Sequence, residues 1–450
     1  MPSRHHSTAR SDFDRRRFLK LSSASVLLPG FAYGQSSFPS NPDVVTVGAG
    51  AAGIAAAHKL RERGVSYVHV EAAAQVGGRV ITETGTFGMP YDVGAHWVQN
   101  ETRNPYFERA KSSGGRFYRA PEEYGIYNES GPASEDEIAS MWEAWEAVEG
   151  AISKAGKSRQ DVAPASVAPT DNPWSQTGWF GIGSWEMGKD MDAFSCLDWW
   201  ESAGSNDWYY ADGYGTLVAN HAKGLDVALN TAVTKITWGG DGVEVETTGG
   251  TIRAKAVILT VSTGVLAGEG IAFDPPLPVE KQESFNAISM GFYNHIALHF
   301  SEDIFGLGED GYVLHKVDDS FEAFGVLVNA SGTGLAYCDV GGDFARELEL
   351  AGADTAMDFV VGKLRNLIGA DVDKYLTKGT VSEWGKDPFV RGCYASAAPG
   401  GFPMREVLRQ PVGDRIFFAG EACHEDIWAT VGGADVTGTR VAEDLADLLV

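Results

Sequence analysis

The apolar residues between positions 43 and 72 follow the order of a strand, a helix and a second strand. Val44–Val47 is a short, largely apolar run of the kind that is buried in a parallel sheet. An alanine-rich segment reaches about Arg63 and is followed by Gly64, which predicts a helix and its C-terminal cap. Tyr67–Val70 predicts the next strand. This pattern is that of a βαβ unit, so we expect an α/β protein with a Rossmann-like sheet.

The turn between the first strand and the helix has the sequence Gly-Ala-Gly-Ala-Ala-Gly. Gly48 permits the tight turn, Gly50 lets backbone N–H groups reach a pyrophosphate, and Gly53 lets the helix pack closely on the strand. The helix N-terminus adds partial positive charge. Glu71 follows the second strand, where a carboxylate can accept both hydroxyls of a ribose. These features together predict a dinucleotide cofactor without distinguishing NAD from FAD.

Later segments continue the nucleotide-binding pattern. Residues 231–266 predict a β-meander that returns to the sheet, and Ile416–Ala419 predicts a further strand before a long helix that begins at about Gly433. The intervening segments are rich in aromatic residues, as expected for a substrate-binding region. Residues 151–175 are rich in Ala, Ser and Pro without periodicity, which predicts a surface loop.

Composition and charge narrow the possible partners. The 450 residues are enough for two or three cores, and 55 of them are glycine, which suits a backbone that approaches a ligand closely. The formal net charge of −25 disfavours nucleic acid and anionic lipid and favours either a cationic small molecule or simple solubility. The four cysteines lack metal-binding and disulfide spacing, so no metal is expected. No apolar run predicts a membrane span in the mature form.

The N-terminal segment is typical of a targeting signal and is excluded from the fold. A run of arginines that includes Arg15 and Arg16 precedes an uncharged stretch from residue 21 to 42, which resembles the bacterial twin-arginine signal. We expect residues 1–34 to form this signal peptide and the mature protein to be periplasmic. Because this route exports folded proteins, often with a bound cofactor, the signal itself predicts a tightly held prosthetic group.

Three further motifs identify that group by resemblance. Residues 77–79 (Gly-Gly-Arg) lie just beyond Glu71 and resemble the GGR motif of flavoproteins with two dinucleotide-binding motifs. Tyr91–Val98 resembles the segment that runs beside the flavin, and residues 415–449 resemble the C-terminal flavin-binding element of the flavin amine oxidase family (monoamine oxidases, polyamine oxidases and lysine-specific histone demethylases). The resemblance spans nearly the whole mature chain. It implies FAD, with an inserted α+β substrate domain built on a mixed sheet.

The same resemblance implies domain boundaries and cofactor contacts. In the family, Arg79 would pair with the pyrophosphate, Glu421 would contact the ribityl–phosphate portion, and Val233 would hold adenine through its backbone. The expected FAD-binding domain comprises residues 42–105, 212–275 and 385–450, and the expected substrate-binding domain comprises residues 106–211 and 276–384. The implied cofactor-binding residues are Gly48, Gly50, Ala52, Gly53, Glu71, Gly78, Arg79, Gly94, Ala95, His96, Trp97, Val233, Cys393, Gly420, Glu421, Thr430 and Val431.

By this resemblance Tyr394, His295 and Thr430 carry the chemistry. Tyr394 matches one wall of an aromatic cage for the amine. His295 stands where the family has a lysine that holds a water against flavin N5. A histidine can also hold a water and move a proton. The permanent positive charge of the lysine is lost, however, which disfavours oxygen as the electron acceptor. Thr430 replaces the second caging tyrosine, so the cage is half open, with room for a bulkier amine. Cys393 matches the cysteine that monoamine oxidases join to the flavin; we expect a small buried side chain and non-covalent FAD, with a covalent link as the alternative.

These features imply a flavin amine oxidase that oxidises a primary or secondary amine by hydride transfer from the α-carbon to flavin N5, giving an imine that hydrolyses to an aldehyde or ketone. Electrons then pass to oxygen, with formation of hydrogen peroxide, or to a periplasmic carrier. Gln99 replaces the acid or histidine of polyamine oxidases. The acids that could instead bind a distal ammonium are Glu201, Asp207 and Asp212. The alternatives are an amine dehydrogenase, a non-catalytic flavin-binding protein, and an L-amino-acid oxidase with Arg391 or Arg405 as its carboxylate clamp.

Replacement of Arg15 and Arg16 together by lysine should abolish export, because the twin-arginine signal depends on the paired guanidinium groups. The measurement is the flavin-containing protein recovered from the periplasmic and cytoplasmic fractions of expressing cells. Arg10→Lys lies outside the pair and should leave export unchanged. Equal periplasmic recovery of the double variant and the wild type would contradict the assignment.

Overall fold

A computed structural model of the chain describes residues 41–119, 123–204, 206–318 and 321–449. The predicted signal peptide, residues 1–34, lies outside the described residues, so twin-arginine export stays a prediction. Within the described ranges, none of the helices is long and apolar enough to cross a membrane.

Helices and short strands occur along the whole of the described chain. The helices are α1 (Ala51–Glu62), α2 (Pro105–Ser113), α3 (Glu135–Lys157), α4 (Ser175–Phe180), α5 (Cys196–Glu201), α6 (Tyr214–His221), α7 (Thr263–Ala267), α8 (Val279–Ala287), α9 (Gly342–Ala351), α10 (Ala353–Ile368), α11 (Asp371–Tyr375), α12 (Met404–Arg409) and α13 (Val431–Leu449). The strands are β1 (Val44–Val47), β2 (Tyr67–Val70), β3 (Thr82–Glu83), β4 (Tyr91–Asp92), β5 (Phe117–Arg119), β6 (Tyr124–Asn128), β7 (Gly131–Pro132), β8 (Trp208–Tyr210), β9 (Val227–Ala228), β10 (Val233–Thr237), β11 (Val243–Thr247), β12 (Gly250–Ala254), β13 (Ala256–Leu259), β14 (Ala272–Asp274), β15 (Ile288–Met290), β16 (Tyr293–Phe300), β17 (Tyr312–His315), β18 (Gly325–Leu327), β19 (Leu335–Gly341), β20 (Leu376–Val381), β21 (Ala395–Ala397) and β22 (Ile416–Phe418).

A five-stranded parallel sheet forms the predicted nucleotide-binding core, with the strand order β22-β13-β1-β2-β9. Gly48 has a φ of +98°, which the tight turn after β1 requires, and Gly64 has a φ of +71° just beyond α1. A Cβ at Gly53 would lie 1.8 Å from the carbonyl oxygen of Gly48, so only glycine lets α1 pack this close to the turn. The βαβ unit and the α/β class are therefore confirmed.

A seven-stranded mixed sheet covers the substrate region, with the order β20-β16-β19-β18-β17-β6-β7. The pairing is antiparallel except between β17 and β6. Alternate residues of β16 face opposite sides of the sheet. Ile296 and Leu298 pack against helices α9 and α10, whereas Ala297 packs with Tyr209 and Tyr337 on the opposite face. That opposite face is the one that carries the candidate site.

The strands of the parallel sheet all fall within the ranges predicted for FAD binding, and those of the mixed sheet all fall within the ranges predicted for substrate binding. The boundaries themselves stay a prediction. The predicted surface loop at 151–175 is wrong at its start, because α3 continues to Lys157 with Ile152 buried. The alanines at the start of this segment extend the apolar face of α3. The last helix begins at Val431, two residues before the predicted Gly433.

Candidate active site

A cavity of about 1010 Å³ is lined by residues of both sheets, at the upper end of the range for ligand pockets. Of the residues implied to bind the cofactor, all except Gly53 line this cavity. Gly53 lies beneath the turn instead and sets the spacing of helix and strand. Segments that are hundreds of residues apart in the chain thus meet in one space, although their individual roles stay predictions.

One end of the cavity has the chemistry of a dinucleotide site. Gly50 begins α1 without a side-chain cap, so the first N–H groups of the helix remain for a ligand. The Glu71 carboxylate accepts hydrogen bonds from the backbone N–H groups of Ala49 at 2.6 Å and Ala73 at 2.7 Å, which hold it at the cavity wall. Burial raises the pKa of Glu71, against the effect of these backbone hydrogen bonds. The arrangement fits an adenosine ribose and a pyrophosphate.

An ion pair joins the other implied cofactor segments. Arg79 Nη1 donates to Glu421 Oε1 at 2.9 Å and to the Cys393 carbonyl at 2.6 Å. Glu421 also accepts from the backbone N–H groups of Ala395 at 3.2 Å and Ala429 at 3.1 Å. The guanidinium and the carboxylate therefore connect four stretches of chain around the cavity.

Tyr394 lies on the cavity wall and is fixed in place. Its hydroxyl donates to the backbone carbonyl of Glu186 at 2.8 Å, and its ring centroid is 6.2 Å from that of Tyr293. Glu186 belongs to a π-helical segment, Gly181–Met187, and such segments are frequent at functional sites. The predicted cage wall is thus held by the segment that also brings an acid to the cavity.

Thr430 has a structural role that the sequence did not predict. Its hydroxyl donates to the Ile427 carbonyl at 2.7 Å and accepts from the Gly433 N–H at 2.9 Å, and so caps the N-terminus of α13. Thr430 lines the cavity, but its hydroxyl is committed to the helix. The Thr430 hydroxyl therefore caps a helix, while its predicted place at the open side of the amine cage stays a prediction.

His295 also differs from its prediction. Nδ1 lies 2.5 Å from Asp339 Oδ1, and Nε2 lies 2.8 Å from the Gly94 carbonyl oxygen. Both nitrogens are thus engaged by protein acceptors, which leaves neither to hold a water as predicted. Burial lowers the pKa of His295, but the charge and hydrogen bond of Asp339 outweigh it and the net effect raises the pKa. Asp339 therefore favours the protonated form of His295.

The five charged side chains predicted as candidates for binding a distal ammonium or a carboxylate differ in whether they reach the cavity. Asp207 lines the cavity and accepts from Gln99 Nε2 at 3.1 Å, and burial raises its pKa. Glu201 instead pairs with Arg159 at the surface, and Asp212 is exposed. Arg405 is buried in a bidentate pair with Asp198, so it cannot clamp a substrate carboxylate.

Arg391 remains on the cavity wall. One of its guanidinium N–H groups donates to the Gly268 carbonyl at 2.6 Å. This contact ties the side chain to the loop that follows α7. With Arg405 excluded and Arg391 held in this way, the structure does not favour the L-amino-acid oxidase interpretation.

Glu186 and Asp339 were missed from the sequence. Glu186 lines the cavity, and its solvent-exposed surface faces the lumen. The protein around the carboxyl group raises its pKa to about 7 through burial. Asp339 is fully buried within β19. A lone acid inside an otherwise apolar strand was a usable signal for Asp339, whereas nothing local distinguishes Glu186 from a surface acid.

The sequence profile described as "Flavin containing amine oxidoreductase" matches residues 172–446, more than half of the chain. The chain belongs to this family. A profile of NAD(P)-binding Rossmann-like domains matches residues 46–110, the range that holds the glycine turn and the Gly-Gly-Arg motif. The protein is therefore an oxidoreductase that acts on amines, and the two matches together imply FAD as its cofactor.

Similar proteins agree with this membership. Polyamine oxidase 3 of Oryza sativa subsp. japonica is 30% identical over 445 residues, which cover 90% of this chain and 89% of that protein. Protein FLOWERING LOCUS D of Arabidopsis thaliana is 27% identical over 442 residues, which cover 90% of this chain and 56% of that protein. Two solved structures share the fold. A putrescine oxidase bound to putrescine has a TM-score of 0.75 and 23% identity, and the match covers 90% of this chain and 99% of that chain. Cyclohexylamine oxidase from Brevibacterium oxydans IH-35A has a TM-score of 0.77 and 19% identity, and the match covers 91% of this chain and 99% of that chain.

Acid denaturation of the purified yellow protein should release its flavin into the supernatant. Burial raises the pKa of the Cys393 thiol to about 12, so almost no nucleophilic thiolate is present at neutral pH. The measurement is flavin absorbance in the supernatant and the pellet after precipitation. Cys393→Ser is the matched control and should release flavin equally. A pellet that stays yellow for the wild type but not for Cys393→Ser would establish a covalent link instead.

Proposed function

We propose that this protein catalyses the FAD-dependent oxidation of a primary or secondary amine to an imine, which water hydrolyses to an aldehyde or ketone. When bound, FAD would accept a hydride from the α-carbon of the amine. The observation that carries the proposal is that one cavity brings together the dinucleotide turn, the Arg79–Glu421 pair and a wall of acidic and aromatic side chains. A polyamine oxidase and a putrescine oxidase are among the similar proteins, which agrees with a cationic amine as substrate.

The residues of this chain would act by holding and orienting the two reactants. Gly50 and the N-terminus of α1 would hold the pyrophosphate, Glu71 the ribose, and the Arg79–Glu421 pair the segments beside the flavin. Tyr394 would lie against the amine. The electrons would pass to oxygen, with formation of hydrogen peroxide, or to a periplasmic carrier after export.

The acids of the cavity favour an amine with a second positive charge. Glu186 and Asp207 both line the lumen and repel each other electrostatically, so a bound cation would stabilise the ionised form of each. Aromatic rings flank this region and can contact a cation or an alkyl chain. The aromatic residues that line it are Tyr124, Trp145, Trp185, Tyr312 and Trp428. We therefore propose a diamine or polyamine as the substrate class.

Anaerobic mixing of the flavin-loaded protein with a panel of mono-, di- and polyamines should bleach the flavin absorbance near 450 nm with at least one of them. Subsequent mixing with oxygen or with cytochrome c should restore the band and identify the acceptor. An L-amino-acid series serves as the control for the carboxylate-binding alternative. A flavin that no amine reduces would contradict an oxidase function and leave a binding role.

Glu186→Gln should raise the KM for a diamine about tenfold or more, with little change for a monoamine of the same chain length, because a charge-assisted contact to the distal ammonium is lost. The pKa of Glu186 is raised to about 7 by burial, so its carboxylate is ionised above that pH and protonated below it. The wild-type KM should therefore rise as the pH falls below about 7, whereas the KM of the variant should not.

The matched control for this prediction is Glu201→Gln, which removes an acid that pairs with Arg159 outside the cavity. It should leave the KM for the diamine and its pH dependence unchanged. An equal effect of both variants would mean that general charge, rather than the position of Glu186, attracts the substrate.

A further inference from the structure

The hydrogen bonds of His295 define its charge. Its ring nitrogens face a carboxylate oxygen of Asp339 and the carbonyl oxygen of Gly94, at 2.5 and 2.8 Å. A carbonyl can only accept a hydrogen bond, so Nε2 carries a proton. Burial lowers the pKa of His295, but the charge and hydrogen bond of Asp339 beside Nδ1 outweigh it and raise the pKa, which favours the imidazolium form. The backbone N–H of His295 donates to Ser382 Oγ at 2.9 Å, which fixes the strand beneath the ring. The cation is thus held from three directions.

The two charges of this pair lie at different depths. His295 lines the cavity, whereas Asp339 lies behind it and is fully buried on the neighbouring strand, β19. The pair carries no net charge, but its positive end is the one that meets the lumen. Of two opposite charges at different depths, the nearer one dominates the local field in the lumen.

His96 is a buried nitrogen base beside His295. Its ring stacks on that of His295 with a centroid distance of 4.8 Å and an interplanar angle of 18°. Neither nitrogen of His96 has a hydrogen-bond partner among the described residues. Burial first, and then the charge of His295, lower the pKa of His96 well below its usual value. One basic nitrogen beside the cation is therefore kept uncharged.

Two aromatic ring contacts connect His295 with Tyr394, the predicted wall of the amine cage. The Tyr293 ring centroid is 5.7 Å from that of His295 and 6.2 Å from that of Tyr394, and all three residues line the cavity. Glu186, whose backbone carbonyl binds the Tyr394 hydroxyl, also lines the lumen and supplies an opposite charge. The lumen is thus polarised between an imidazolium and carboxylates.

We propose that Asp339 is a positioning residue that fixes His295 as a cation at the cavity wall, and that this cation keeps the reacting nitrogen of the bound amine uncharged. The inference rests on the function proposed above. Only an uncharged amine has the lone pair that can form the C=N bond as the α-carbon loses its hydride with two electrons to FAD. The ammonium proton goes to solvent water beforehand, and a distal ammonium of the same substrate keeps its charge beside Glu186.

The titratable groups around His295 come from several elements, and the variants must leave them in place. They are Tyr293 on its own strand, Tyr337 and Asp339 on β19, Asp92 on β4, and His96 after β4. The double variant His295→Gln/Asp339→Asn removes both charges of the pair while amide groups of similar shape can keep the hydrogen bonds. It therefore tests the field without adding an unpaired buried charge.

The first measurement is the pH profile of anaerobic flavin reduction by the amine that the panel identifies. The rising limb, which reports loss of the ammonium proton in the complex, should lie about one pH unit or more higher in the double variant than in the wild type. Flavin content and thermal midpoint establish that the variant is folded. An unchanged limb in a folded, flavin-loaded variant would overturn the proposal.

The second measurement does not require turnover. Pentyltrimethylammonium cannot lose its charge, so its affinity, measured from the perturbation of the flavin spectrum, should rise several-fold in the double variant. 1-Pentanol is the uncharged control and should bind both proteins equally. Equal affinity of the cation for both proteins would count against the field of His295. This readout separates the inference from the proposed function, since it stands even if no amine bleaches the flavin.

The third measurement uses the wild type alone and covers a variant that does not fold. In ¹⁵N-histidine NMR spectra over the neutral pH range, both ring nitrogens of His295 should show protonated shifts, while His96 keeps one unprotonated nitrogen throughout. Assignment by His96→Phe identifies the second set of signals. An unprotonated nitrogen on His295 in this range would overturn the proposal.

Discussion

The ion pair between Arg79 and Glu421 is the contact on which the rest of the site depends. Arg79 follows the nucleotide-binding strand pair, whereas Glu421 follows the last strand of the sheet, 342 positions later. Between them they bind the Cys393 carbonyl and the N–H groups of Ala395 and Ala429. A largely buried carboxylate is stable only when it is paired, so this contact holds separate segments at one wall of the cavity.

The cavity joins two regions with different tasks. The parallel sheet supplies a glycine turn, an uncapped helix N-terminus and Glu71, all of which suit a dinucleotide. The mixed sheet supplies the imidazolium of His295 and its buried partner Asp339, and the π-helical segment supplies Glu186. Charge is therefore distributed along the lumen, with carboxylates in one part and a cation in another. Such a distribution would suit the proposed diamine or polyamine.

The sequence predicted the first region well and the second less well. The glycines of the turn act through backbone geometry, and their spacing alone determines what they do, as the φ of Gly48 and the close contact at Gly53 show. The roles of Thr430 and His295 depend on neighbours that are distant in the chain. Thr430 was predicted to leave the amine cage half open, and only the structure shows that its hydroxyl caps α13. His295 was predicted to hold a water where the family has a lysine, yet its two ring nitrogens face Asp339 and the Gly94 carbonyl.

The amino-acid sequence by itself determined the βαβ unit, the order of the cofactor-binding segments and the membership of the family, because periodicity, glycine spacing and chain order are local properties. Only the tertiary structure decided which acids reach the cavity and which histidine has a buried acid as its partner. Glu186 and Glu201 are alike in the sequence, but one faces the lumen and the other pairs with Arg159 at the surface. A side chain's charge state and partner depend on burial and on groups brought from other strands, and these exist only once the sheets have assembled.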